Sequence, residues 1–396
     1  MKLVWVVNSV RAIQQSAALG LLLSAAWSLY RTLDRVENFL IVTNEQDGFR
    51  REDEKEVRQI LDLWIERFCI PATSHQDFIN DVCLLQNVNA GAISNVWDSI
   101  TSVTATRYNS DDRTFFIFNN SYPSKLVQEV AMASEFNTVF LSMAPLKVLD
   151  GRFNIFSHAQ VDSLIRMQFD KNIQRLIPMR YPYFMRGRSR RQPRKDATSR
   201  IIVGTTGENI LVRLHPKDFR QVIFPILNRF STVNWLLIGV TEKQINGLVA
   251  HNTDISEMLA NFVDAGRIIL HSEVSGDFFD FLSESIDILY KGSHAGGATT
   301  VAACINSGIP VVDMSFADSR AFLRGRLSGT SREDCRQLLI RLLTDKSFRS
   351  SFTREQSAAL EENNSKSWHQ ELCTALQETA GKEIEFDHRN PTGLVN

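Results

Sequence analysis

The sequence predicts an α/β protein of two Rossmann-like domains facing across a cleft. Three observations carry this. Apolar, strand-like runs alternate with helical stretches twice along the chain, the pattern of parallel sheets flanked by helices. A basic stretch without apolar periodicity separates the two blocks. The length of 396 residues suits two domains. The expected division is a first domain over 1–185, a linker over 186–199, a second domain over 200–380 and a polar tail over 381–396.

In the first block, LVWVV at 3–7 reads as a strand and 11–33 as a helix. FLIVT at 39–43 is the second strand, followed by a charged helix over about 52–68. Residues 70–113 mix apolar runs with Asn, Ser and Asp and give no clear element. FFIF at 115–118 is a strand that enters a polar turn, Asn119 to Pro123, before a helix over 124–135. VFLSM at 139–143 and FNIFS at 153–157 are further short strands. The uncharged run at 12–30 invites comparison with a membrane anchor, but a strand precedes it. Gln14, Gln15, Ser16, Ser24 and Ser28 also interrupt it. A buried first helix is the expectation, with no integral membrane span.

From Arg186 to Lys195 the chain reads RGRSRRQPRK, six basic residues in ten, as expected of an exposed linker. The second block follows. IIVG at 201–204 is a strand, and Pro216 opens a helix reaching about Arg229 with a kink expected at Pro225. WLLIG at 235–239, RIILH at 267–271, IDILY at 286–290 and VVDM at 311–314 are strands. Helices are expected over 243–263, 276–284, 299–307, 331–344 and 347–378.

Composition narrows the function. Hydrophobic residues are 43% and charged residues 22%, which excludes global disorder and a disulfide-stapled miniprotein. Lys plus Arg number 44 against 45 Asp plus Glu, a balance that argues against whole-surface nucleic-acid binding and leaves a local basic patch open. The five cysteines are odd in number, with no CxxC pair, as expected of reduced thiols in a cytoplasmic protein without a zinc site. Neither GxSxG nor HExxH occurs, so serine-hydrolase and zinc-protease chemistry have no footing.

The chemistry concentrates in residues 286–314, IDILYKGSHAGGATTVAACINSGIPVVDM. A strand delivers the chain into a loop with Gly292, Gly296 and Gly297, which permit close backbone approach to a ligand. Thr299 or Thr300 is expected to cap the next helix, whose N-terminus offers amide donors and a positive dipole end. Strand, Gly-rich loop and helix N-terminus together make an anion site, typically for phosphate. Gly308 is the expected C-terminal cap and Pro310 a stop. His294 in this loop, Thr205 and Thr206 after the first strand of the block, and Asp313 at the end of VVD are candidate donor contacts. His158, after FNIFS at a strand's carboxyl end, is a candidate general base.

GGATTVAACINSGIPVV, preceded by RIILH and FFDFLSESIDILY, resembles the nucleotide-sugar-binding half of GT-B glycosyltransferases. It is similar to the O-GlcNAc transferase family and its bacterial relatives, which include cytosolic N-glucosyltransferases. The resemblance covers about 200–345. It implies that the Thr299–Thr300 pair, with Gly296 and Gly297, holds the diphosphate of a UDP-sugar. Arg213 in RLHP is similar to a family lysine in Lys-Ile-Asp-Pro and would inherit its contact with the diphosphate and the leaving group. Arginine keeps the charge and adds a bidentate fork. Where the family has an acidic residue expected at the ribose, this chain has Ala303. Ala303 and Ala295 also leave empty the places of the glutamate of common retaining enzymes, so inversion is implied. No metal and no cofactor are expected beyond the nucleotide sugar. The acceptor stays open among protein, glycan, lipid and nucleic acid. An epimerase-like enzyme and a non-catalytic binding module are the alternatives.

Overall fold

In a computed structural model of the chain, contacts divide it into two compact units, Met1–Arg186 with Asn364–Asn396, and Gly187–Asn363. The structure describes the backbone of seven strands in the first unit. In the second it describes mainly residues 200–206, 214–240, 252–272, 278–292, 297–314 and 325–365.

The first unit holds one sheet. Its strands are β1 (Lys2–Val7), β2 (Glu37–Val42), β3 (Cys83–Gln86), β4 (Thr114–Phe118), β5 (Asn137–Ser142), β6 (Phe153–Ser157) and β7 (Ile173–Pro178). All neighbours pair in parallel, in the order β3-β2-β1-β4-β5-β6-β7. Five of these strands match sequence expectations. The other two, β3 and β7, are the sheet's edges. An edge strand needs less apolar surface, and these sequences are CLLQ and IQRLIP, the latter ending on proline. The helices expected over 11–33, 52–68 and 124–135 lie largely outside the described residues.

The second unit repeats the plan. Strands β8 (Ile201–Thr206), β9 (Val233–Ile238), β10 (Ile268–His271), β11 (Ile288–Gly292) and β12 (Val311–Asp313) form one sheet ordered β10-β9-β8-β11-β12. Every pairing is parallel, so the five expected strands share one parallel sheet. VNWLLI is buried along its whole length, because helices cover both faces of a parallel sheet. Alternate residues Val203, Trp235, Leu237, Ile288, Tyr290 and Val312 build one face of the core. The Trp235 and Tyr290 rings meet edge to face at 5.6 Å.

The described helices of this unit are α1 (Pro216 to Arg229), α2 (Thr253–Asp264), α3 (Phe278–Ser285), α4 (Ala298–Asn306), α5 (Arg332–Thr344) and α6 (Lys346–Ser365). The expected kink in α1 takes the form of a π-turn over Phe219–Ile223 between two α-helical pieces. Pro225 has no N–H, and in a regular α-helix its ring would crowd the carbonyl of Gln221. Widening one turn relieves that clash without breaking the rod. Arg267 finishes α1 by donating from Nη2 to the carbonyls of Leu227 and Phe230.

Helix α6 closes the sheet at β12. The buried Gln356 amide accepts from Val311 N (2.9 Å) and donates to Val311 O (2.8 Å), replacing a missing strand. Gln356→Leu should therefore strand two buried backbone groups and cost about 1–3 kcal/mol. Urea denaturation measures this; a midpoint equal to the wild type would contradict it.

Candidate functional site

In an open parallel sheet, ligands bind outside the carboxyl ends where the strand order reverses. In the second unit that point lies between β8 and β11. The chain leaves β8 towards β9 on one side and leaves β11 towards β12 on the other.

Helix α4 starts beside this point. Its N-cap is Gly297, in the left-handed region at φ 86°, and no side chain caps the helix. The expected threonine cap is thus corrected. Ala298 takes the first helical position, so Thr299 and Thr300 lie at the second and third, among amides that point out of the helix. A left-handed cap demands glycine, and its missing side chain leaves the helix end open. Thr299 is buried and Thr300 half-buried. At the other end, Gly308 N reaches Ile305 O and Ile309 N reaches Cys304 O, the paired bonds of a Schellman turn.

A second segment meets the exit of β11. Gly292 sits at φ 76°, and a Cβ there would lie 3.0 Å from Leu214 Cδ2. Asp218 then ties the two segments together. Its side chain is fully buried. Oδ1 accepts from Tyr290 Oη (2.8 Å) and Arg332 Nε (3.0 Å), and Oδ2 accepts from His215 N (3.0 Å). His215 Nδ1 in turn accepts from Lys217 N (3.1 Å), which caps α1 reciprocally. Leu214–Asp218 is thereby held against Tyr290–Gly292, at the root of the Gly-rich loop.

The pair Thr205–Thr206 divides. Thr205 is fully buried, and its hydroxyl accepts from Trp235 Nε1 at 3.0 Å. Thr206 ends β8 and is buried as well. Asp313 is 1% exposed and lies 3.6 Å from Lys291 Nζ, while the Ser319 hydroxyl donates to its Oδ2. Arg213, His294, Gly296 and His158 lie outside the described residues. Asp218, Lys291, Arg332 and Trp235 were not singled out from sequence. A signal existed for Asp218, because a carboxylate three residues after a residue that precedes proline fits a capping box.

Cys304 lies within α4, and burial pushes its thiol up to about 12. Cys335 rises to about 12 through burial first and the Asp313 and Asp218 charges next. Both should resist iodoacetamide at pH 8 in the native protein and react once unfolded. Peptide mapping by mass spectrometry checks this; rapid native labelling at either position would contradict the packing. Among the described residues, no group of three or more His, Cys, Asp or Glu is placed to hold a metal. Nor is any described helix long and apolar enough to cross a membrane.

No protein-family model matches the chain, and no curated protein matches it. Solved structures do. Anabaena HepE in complex with UDP and glucose is 11% identical with a TM-score of 0.57, over 96% of this chain and 98% of that one. A glycosyltransferase from Rickettsia africae is 11% identical with a TM-score of 0.60, over 96% and 98%. A mutant of the Thermobaculum terrenum O-GlcNAc transferase is 12% identical with a TM-score of 0.57, over 96% of this chain and 66% of that one. The likeness is one of fold: the chain has the α/β fold of GT-B glycosyltransferases, with two Rossmann-like domains.

Proposed function

We propose that the chain is a glycosyltransferase that moves a sugar from a nucleotide diphosphate, most simply UDP, to an acceptor nucleophile. The observation that carries this reading is the uncapped N-terminus of α4 at the switch point of the second sheet, with the Leu214 segment packed against the root of its loop. UDP is favoured because the neighbour HepE was crystallised with UDP and glucose.

In this reading the backbone amides of the α4 first turn and the hydroxyls of Thr299 and Thr300 bind the diphosphate. They stabilise the charge that grows on it as the glycosidic bond breaks. Arg213, one residue before Leu214, supplies the neutralising cation. The first domain holds the acceptor, with His158 as candidate base. Inversion without a metal, and without a further cofactor, belongs to the same reading. So does a cytoplasmic location.

A screen of donor hydrolysis across UDP-, GDP- and TDP-sugars tests it. Release of one nucleotide, accelerated by acceptor, is the expected result. One observation favours a second reading, a non-catalytic module of the same fold. Ala303 on α4 offers no carboxylate at the position where the resembling family carries one for the ribose. Absence of a thermal shift with every nucleotide sugar would favour that module and overturn the transferase.

A further inference from the structure

Strand β11 does not end as a regular strand. Tyr290 pairs with Val312 and Gly292 with Asp313, so Lys291 is an extra residue, a β-bulge. Gly292 follows directly in the left-handed region. The bulged Lys291 is 3% exposed, and its ammonium lies 3.6 Å from Asp313 Oδ1 on the neighbouring strand. Asp313 is fixed in turn. Ser319 donates to its carboxylate, and Gly329 N donates to its carbonyl at 2.8 Å. A lysine at the end of a buried apolar strand costs desolvation, which a paired and hydrogen-bonded carboxylate offsets. Bulges of this kind re-aim the chain where a strand hands over to a functional loop.

We propose that Lys291 and Asp313 are a positioning pair for the donor site. The ion pair locks the bulge. The bulge and Gly292 together fix the carboxyl end of β11, the point from which the chain runs on to the Gly297 cap of α4. Fixing that end holds the first turn of α4 ready to meet the diphosphate before the donor arrives. Neither side chain touches the donor; both act through the end of β11. The inference rests on the donor-binding reading above and names what preorganises that site.

The test uses the full chain and UDP as the probe, with calorimetric titration beside thermal unfolding. Lys291→Met and Asp313→Leu each leave one buried charge without its partner, and each should lose both stability and affinity. The combined Lys291→Met/Asp313→Leu variant replaces the pair with apolar groups. It should recover a melting temperature near the wild type yet bind UDP roughly tenfold or more weakly, since a small misplacement of binding groups is costly. A double variant that binds UDP like the wild type would show a purely structural pair and overturn the proposal. Should that variant not fold, Ser319→Ala decides. It keeps both charges, and it should lower the melting temperature through the lost hydrogen bond and weaken UDP binding severalfold in the protein that stays folded; unchanged affinity overturns the proposal. Thr300→Val separates the two levels. If it loses affinity while the double variant keeps it, only the positioning role fails. If the wild type does not bind UDP, the donor reading fails and this inference with it.

Discussion

Asp218→Ala should destabilise the second unit by about 3–5 kcal/mol, the range for removing one partner from a buried ionic network. Three donors lose their acceptor at once: Tyr290 Oη, Arg332 Nε and His215 N. Native domains hold only about 5–15 kcal/mol in total, so the unfolding midpoint should fall by many degrees. Asp218→Asn keeps the shape and one acceptor oxygen, and should cost less. Circular dichroism melts of the wild type and both variants measure the order. A change within about 1 kcal/mol for Asp218→Ala, the size of an ordinary surface substitution, would contradict the network. Because Asp218 holds Leu214–Asp218 against Tyr290–Gly292, nucleotide affinity should fall together with stability.

Arg213→Ala should lower UDP affinity by more than a hundredfold, exceeding the loss from any one hydroxyl at the site. Each charge-assisted hydrogen bond to phosphate is worth about 1.5–3 kcal/mol, and a bidentate fork makes two of them. Its loss also leaves the leaving group's charge unneutralised, so transfer should slow further than binding weakens. Arg213→Lys should recover part of both, since the charge returns without the fork. Steady-state kinetics with a UDP-sugar, alongside UDP titration, separate the two effects. Unchanged constants in Arg213→Ala would remove this residue from the site.

What the sequence disclosed followed physical strength. Interior parallel strands such as VNWLLI are buried on both faces, so their apolar runs were legible and the five strands of the second sheet could be located. The edges β3 and β7 were not, because edges tolerate Gln, Arg and Pro. Helix α4 was legible, with left-handed glycines at Gly292 and Gly297 before it, since glycine spacing and a helix start are local signals. The cap itself was misplaced. Thr299 and Thr300 are good capping residues by type, but Gly297 alone tolerates the left-handed turn required there. The long-range ties were beyond reach. Asp218 meets Tyr290 and Arg332 across 72 and 114 residues of chain, separations no local pattern encodes. Thr205 illustrates the same limit. Its loop context resembled a ligand contact, while its actual partner is Trp235 on the adjacent strand.

The most direct test of the central claim is the dissociation constant of UDP for the wild type and for Thr300→Val, measured by calorimetry on folded protein. Valine keeps the shape of threonine and removes only the hydroxyl. A hydroxyl bound to a charged phosphate is worth about 1.5–3 kcal/mol, so the variant should bind UDP roughly tenfold to a hundredfold more weakly. Equal affinity in the two proteins, or no binding by either, would show that the turn before α4 is structural and contradict its assignment as the donor site.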